Sequence, residues 1–215
     1  MCFEALFFDL DDTIYPPNAG IWQAIGKRMD QFIVEKLGLP VEIVPQLREN
    51  LYAEYGTTMR GLEAVYKINV QEFLDYVHDI PIKNYLQSDE ELRQTLALYP
   101  SRKIIFTNAD TNHARRVLCT LGVDEFFEQV IDIHAIRPFC KPQPEAFEKA
   151  LTIAGVIDPT KCVMIDDSYP NLVSAHEMGL FTIQVGTEVR SSLVDAVVLT
   201  LFDLPSVLPV KITEV

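Results

Sequence analysis

Cysteine is scarce in this chain, and what there is does not pair. Cys2, Cys119, Cys140 and Cys162 include no CxxC spacing, which argues against both a disulfide framework and a thiolate metal site. Reduced thiols and a cytoplasmic location are the expectation, with Cys140, beside Lys141, a candidate oxidant-sensitive thiol. The four histidines, His78, His113, His134 and His176, are scattered away from any zinc-ligand spacing and read as structural or surface groups. Long apolar runs are missing too: none approaches the length of a membrane span, and the first is cut by Asp9 to Asp12. Met1-Cys2-Phe3-Glu4 carries no basic region, so no secretory leader is expected. Positive charge is in short supply: 18 Lys and Arg face 31 Asp and Glu, a formal net charge of −13. Such a field repels polyanions, so nucleic acid polymers and anionic membranes are poor partners. A small phosphorylated metabolite remains compatible if a metal and local cations reverse the field at one site. There is no internal repeat and no low-complexity stretch.

What is present is an ordinary globular composition, 48% hydrophobic and 23% charged over 215 residues, enough for one large domain or a domain with an insert. Ala5 to Phe8 reads as a buried strand, followed by the turn signal Pro16-Pro17-Asn18. From Ile21 to about Leu98 apolar residues recur at helical spacing. Ile21, Ile25, Met29, Phe32, Ile33 and Leu37 mark one helix that Gly38 ends; Pro40 opens another carrying Val44, Leu47, Leu51 and Tyr55. Shorter helices are expected over 62–68, 71–78 and 89–98. After Pro100 strands at 103–107, 130–133, 162–165, 181–185 and 196–201 alternate with helices at 112–121, 144–154 and 170–178. That alternation predicts an α/β domain with a mainly parallel sheet whose first strand is separated from the rest by a helical insert.

In parallel sheets ligands bind beyond the carboxyl ends of the strands. After the first predicted strand come Asp9 and Asp11, which strand alternation places on one side. The second ends at Thr107 and Asn108, the third leads to Lys141-Pro142, and the fourth ends in Asp166-Asp167. Two carboxylates at one buried edge are costly unless a cation or a reaction needs them. Asp9 with Asp166 and Asp167 offers the hard oxygen ligands that Mg²⁺ prefers. Lys141 adds positive charge opposite Asp9 and a reacting phosphorus. Thr107, with the backbone N–H groups of Asn108 and Ala109, can hold a phosphate oxygen. Asp9 can act as nucleophile, and Asp11 as the acid that protonates the leaving oxygen. Asp12 and Thr13 read as loop-shaping residues. A signalling receiver domain also gathers acids, a Thr and a Lys-Pro, but its acidic pair comes early, and here the other acidic pair follows the Lys.

With these residues assembled, the chain resembles the haloacid dehalogenase superfamily: Asp9-Leu10-Asp11-Asp12-Thr13 matches its first motif, Thr107 its second, Lys141 its third and Asp166-Asp167 its fourth. The resemblance implies a Rossmann-like, three-layer parallel-sheet core (1–15 and 99–215) with a helical cap (16–98) inserted after the first strand. It implies Asp9 as nucleophile, Asp11 as acid/base, and Mg²⁺ held by the Asp9 side chain, the Asp11 backbone carbonyl and Asp167 with or without Asp166. The acidic residue at position 11 resembles the phosphatase and phosphotransferase branches more than the true dehalogenases. Asn171 departs from the pattern, where many members carry another Asp.

The segment Tyr55-Gly56-Thr57-Thr58-Met59-Arg60-Gly61-Leu62 places hydroxyls and an Arg between glycines, which suits an anionic or planar group, with Thr58 and Arg60 as candidate substrate contacts. With Thr13-Ile14-Tyr15-Pro16 and Phe139 to Pro144 it is similar to the pyrimidine 5′-nucleotidase branch, implying a pyrimidine nucleoside monophosphate as substrate. The alternatives are a promiscuous sugar-phosphate phosphatase, a phosphomutase, or a non-catalytic binding protein. A monomer or homodimer is expected.

Overall fold

The apolar run Ala5–Phe8 forms strand β1, buried at every position. It becomes the centre of the sheet because apolar runs on later segments pair with it on both edges. In this computed structural model, which describes residues 3–209 and so leaves Cys2 outside, the remaining strands are β2 (Arg102–Phe106), β3 (Gln129–Ile131), β4 (Cys162–Asp166), β5 (Phe181–Val185) and β6 (Ala196–Val198). Their order is β3-β2-β1-β4-β5-β6, and every neighbouring pair is parallel. Phe8 stands in register with Ile105 on one side and Ile165 on the other. Parallel pairing needs crossovers, and the covering helices are why β1, and β4 as far as Ile165, are apolar rather than alternating. The order reverses direction between β1 and β4, so a crevice opens outside their carboxyl ends.

The fold is thus the expected Rossmann-like parallel sheet with surrounding helices. The last strand is shorter than the predicted 196–201: Thr200 and Asp203 form reciprocal side-chain to backbone hydrogen bonds that start a 3-10 turn at Leu201 and end the extended chain.

The chain divides into two compact units, 1–19 with 86–215, and 20–85. Helix α5 (Glu90–Ala97) belongs with the sheet, not with the insert expected over 16–98. Local bonds explain this: the Asp89 N–H donates to the Leu121 carbonyl (3.0 Å) and Arg93 Nη1 to the Gly122 carbonyl (3.0 Å), tying α5 to the end of α6 (Thr111–Leu121). The sheet unit also contains α7 (Pro144–Ile153), α8 (Tyr169–Glu177) and the short α9 (Leu204–Val207).

The 20–85 unit is helical: α1 (Ile21–Leu37), α2 (Val44–Tyr55), α3 (Thr58–Tyr66) and α4 (Val70–His78). Phe32 of α1 meets Phe73 and Tyr76 of α4 edge-on, at centroid distances of 5.0 and 5.4 Å. Within the segment Tyr55 to Leu62, expected to supply substrate contacts, a capped helix begins. Thr57 accepts the Arg60 N–H at 3.1 Å, so α3 begins four residues before the predicted Leu62. Gly61 is there for packing: a Cβ at that position would lie 2.6 Å from Leu51 Cβ on α2.

Candidate active site

The carboxyl ends of β1, β2 and β4, with the loop after β3, bring the sheet unit's polar side chains together. Asp9 directly follows β1, its N–H bonded to the Ile165 carbonyl at 2.9 Å. Its side chain is buried against Lys141, whose Nζ donates to Asp9 Oδ1 at 2.6 Å and to Asp166 Oδ2 at 2.8 Å. Lys141 is only 1% exposed. Desolvation alone would lower its pKa, but the charges and hydrogen bonds of Asp166 and Asp9 outweigh that and raise it above the ordinary lysine value. Burial raises Asp9 well above the usual carboxylate range; Lys141 opposes this, while Asp166 and Asp167 add to it.

Lys141 is placed by its backbone as well. The Asn108 side chain accepts the Lys141 N–H at 2.9 Å and donates to the Lys141 carbonyl at 3.0 Å, a two-point clamp between the β2 end and the loop after β3. Thr107 Oγ1 accepts the Ala109 N–H at 3.0 Å. That bond leaves the Thr107 hydroxyl proton to donate elsewhere, but it engages one of the N–H groups expected to hold a phosphate oxygen. The Ala109 N–H therefore shapes the loop here.

Asp166, at the end of β4, is fully buried and saturated. Besides Lys141, its Oδ1 accepts Ser168 N–H at 2.8 Å, and Asn171 Nδ2 donates to both oxygens at 3.1 and 3.0 Å. Asn171, the departure from the superfamily pattern, thus acts as a donor to Asp166. Asp167 is less buried and is pushed up to about 6 by burial and then by the charge of Asp166, with Lys141 opposing. Thr13, expected only to shape its loop, joins the two sides: its hydroxyl accepts the Asp167 N–H at 3.0 Å and lies 3.3 Å from Asp167 Oδ1 and 3.5 Å from Asp9 Oδ2. Asp12 turns the chain with φ 61°, a left-handed conformation Asp tolerates.

Asp9, Asp166 and Asp167 each present an oxygen, and these atoms lie within 4.8 Å of one another. Three carboxylates here face one buried ammonium, and Asp12 Oδ1 is buried with no hydrogen-bond partner. An all-oxygen donor set carrying excess negative charge fits a small hard divalent cation. Asp167 and Asp9 are better placed to bind it than Asp166, whose oxygens already accept four hydrogen bonds.

Asp11 lies in the same turn as Asp9. Its Oδ1 accepts the Tyr15 hydroxyl and lies 2.8 Å from His113 Nε2. Tyr15 is held protonated, its pKa raised by burial and by the Asp11 charge and hydrogen bond. His113 sits in the first turn of α6, which Asp110 caps through the His113 N–H at 2.7 Å. Asp132, just past β3, anchors that turn through the Thr111 N–H (3.0 Å) and hydroxyl (2.7 Å). His113 and Asp132 are residues that sequence reasoning did not bring to the site, and Tyr15 entered it only as part of the segment 13–16. No spacing links Asp11 to His113; the helical period that buries His113 beside Ala114 and Val117 was the one available signal. Thr58 and Arg60 lie on α3 of the helical unit, with Arg60 Nη1 paired to Glu63 Oε2 at 2.9 Å. Cys140 is buried.

A parallel sheet reversing at β1 and β4, with acids, a lysine and a threonine at its carboxyl edge, defines a class, and comparison of the chain with known families agrees. Residues 3–179 match the haloacid dehalogenase-like hydrolase family, and the chain belongs to it. Among curated relatives, phosphate metabolism protein 8 of Saccharomyces cerevisiae is 30% identical over 191 residues, covering 82% of this chain and 60% of the yeast protein. This chain therefore spans less than two thirds of that relative. Glyceraldehyde 3-phosphate phosphatase of Pyrococcus furiosus is 26% identical over 197 residues, 84% of this chain and 79% of that protein. Among solved structures, the HAD hydrolase YfnB of Bacillus subtilis, bound to magnesium, superposes with a TM-score of 0.64 at 16% identity, covering 97% of this chain and all of that one; it shows the same fold.

Proposed function

We propose that this chain is a Mg²⁺-dependent phosphatase that hydrolyses a small phosphomonoester through an aspartyl phosphate on Asp9, with a pyrimidine nucleoside 5′-monophosphate as substrate. The observation that carries the reading is the buried Asp9–Lys141–Asp166 array at the switch point of the sheet, with Asp11 in the same turn. A lysine locked between two carboxylates keeps its charge, so it can stabilise negative charge gathering on a phosphoryl group next to Asp9. A carboxylate oxygen of Asp9 attacks phosphorus as the bond from phosphorus to the leaving oxygen breaks. Asp11 gives that oxygen a proton, and the alcohol departs. Asp11 then takes a proton from the water that attacks phosphorus, which frees inorganic phosphate and restores Asp9. Thr107 donates its hydroxyl to a phosphoryl oxygen. Mg²⁺, held by Asp9, the Asp11 carbonyl and Asp167, with Asp166 behind them, would offset the repulsion between the carboxylates and the ester.

The nucleotide assignment rests on the resemblance of 13–16, 55–62 and 139–144 to the pyrimidine 5′-nucleotidase branch, with Thr58 and Arg60 contributing to substrate choice. The Pyrococcus relative's name favours a second reading, a triose- or sugar-phosphate phosphatase. Phosphate release from UMP, CMP, purine monophosphates, glyceraldehyde 3-phosphate and hexose phosphates, with and without EDTA, separates the two. Pyrimidine monophosphates are expected to lead by about tenfold or more in kcat/KM, and a sugar-phosphate lead transfers the assignment to the second reading. Asp9→Asn is expected to lose at least about a thousandfold in kcat with the fold intact by circular dichroism. Wild-type turnover in that variant removes the aspartyl phosphate mechanism.

A further inference from the structure

Asp11 is approached by one side chain from its own turn and by another from a distant helix. Tyr15 reaches it from four residues further along the turn after β1, and His113 from the first turn of α6. Both meet the same oxygen, Oδ1. His113 is completely buried, and its helix is fixed at that end by Asp110 and, across from β3, by Asp132. A carboxylate has no proton to give, so facing an ionised Asp11 the Nε2 atom of His113 must be the donor. Two donors on one oxygen fix the plane and rotation of the carboxyl group, and they direct its proton to the other oxygen, Oδ2. An acid that protonates a leaving oxygen gains rate only when that proton is held in line with the breaking bond.

We infer that Tyr15 and His113 are positioning residues that orient the Asp11 carboxyl for protonating the leaving oxygen. The inference rests on Asp11 being the acid, as proposed above. The alternative is that the pair only braces the turn after β1, and the two ideas differ in one measurable respect. Acid assistance matters most when the leaving alcohol is weakly acidic and little when it departs readily as p-nitrophenolate. A brace that keeps Asp9 in place would matter equally for both.

The test compares kcat/KM, which reports the step up to the covalent intermediate, for UMP, glycerol 1-phosphate and p-nitrophenyl phosphate. Two alkyl esters are used so that a wrong substrate class does not blunt the comparison. Tyr15→Phe and His113→Leu are expected to lose about tenfold to a hundredfold on the alkyl esters and less than about threefold on p-nitrophenyl phosphate. His113→Gln, which keeps an N–H donor near the Nε2 position, recovers most of the alkyl-ester rate. Tyr15→Phe keeps the ring, so it tests the idea even where His113→Leu fails to fold. Equal losses on all three esters, or wild-type rates in Tyr15→Phe, overturn the inference. Asp9→Asn run alongside tests the parent reading: full activity there removes the mechanism, whereas an inactive Asp9→Asn with leaving-group-independent losses at Tyr15 and His113 removes only the positioning role.

Discussion

Lys141 is central at the scale of single residues because burial turns it into a fixed charge. Inside the protein an ammonium is costly alone, and Asp9 and Asp166 hold it charged while it holds them together. Asp167 has the opposite character. Pushed up to about 6, it is ionised above that pH and neutral below it. A raised carboxylate means that the folded, metal-free protein binds a proton more tightly than the unfolded chain does. This group's contribution to metal-free stability therefore improves as pH falls from about 6 towards the ordinary value of 3.8. Cation binding runs the other way, needing the ionised form. Thermal melts with Mg²⁺ and with EDTA should differ by several degrees at pH 7.5 and converge by pH 5.5. Asp167→Asn is expected to raise the metal-free melting temperature at pH 7.5 and abolish the Mg²⁺-induced rise. A Mg²⁺ shift that is constant across this pH range, or unchanged in the variant, would remove Asp167 as a ligand.

At the scale of elements, turns and helix ends carry the precision. The chain leaves β1 through a left-handed Asp12, and Thr13 bonds across to Asp167, so the turn that holds Asp9 and Asp11 is tied to the end of β4. Within the helical unit, α2 and α3 meet at Gly61 more closely than a side chain permits. Ala is normally the better helix residue, by about 1 kcal/mol over Gly. At Gly61 the sign reverses, because the added Cβ would meet Leu51 Cβ at 2.6 Å. Gly61→Ala is expected to destabilise by about 1–3 kcal/mol in urea unfolding. A gain in stability would show that the two helices separate without cost.

For the molecule as a whole, the net charge of −13 opposes the arrival of a dianionic ester. Salt screens that long-range field while leaving the buried Lys141 contacts largely untouched. At saturating Mg²⁺, kcat/KM should therefore rise about twofold between roughly 10 and 100 mM inert salt. A steep fall would mean that the local cations, not the whole-molecule field, govern encounter.

The central strands were legible because a parallel sheet buries both faces: Ala5–Phe8 and the apolar part of Cys162–Asp166 are short, unbroken runs buried at every position. Asp9, Asp11, Thr107, Asp166 and Asp167 were legible because each stands at or just beyond a strand end, where the chemistry of an open sheet gathers; Lys141 was legible because its loop follows the third strand. The helical turn at Thr57 was less so, since a hydroxyl capping a helix and a hydroxyl facing a ligand look alike in a sequence. The limit of the insert was also hidden: α5 has the same helical period as its predecessors, and its tertiary contacts, among them the bonds to the end of α6, assign it to the sheet.

The element types, the sheet class and the polar groups at its carboxyl edge are written locally, because they follow from periodicity and from what ends each run. How the acids are held emerges only when the chain folds back on itself. Lys141 lies between Asp9 and Asp166, Thr13 bridges to Asp167, and Tyr15 and His113 meet on one oxygen of Asp11. The contacts of Lys141 with Asp9, Thr13 with Asp167 and His113 with Asp11 join distant parts of the chain and leave no periodic trace in it, and a buried histidine beside a carboxylate is written like any other residue on the inner face of a helix.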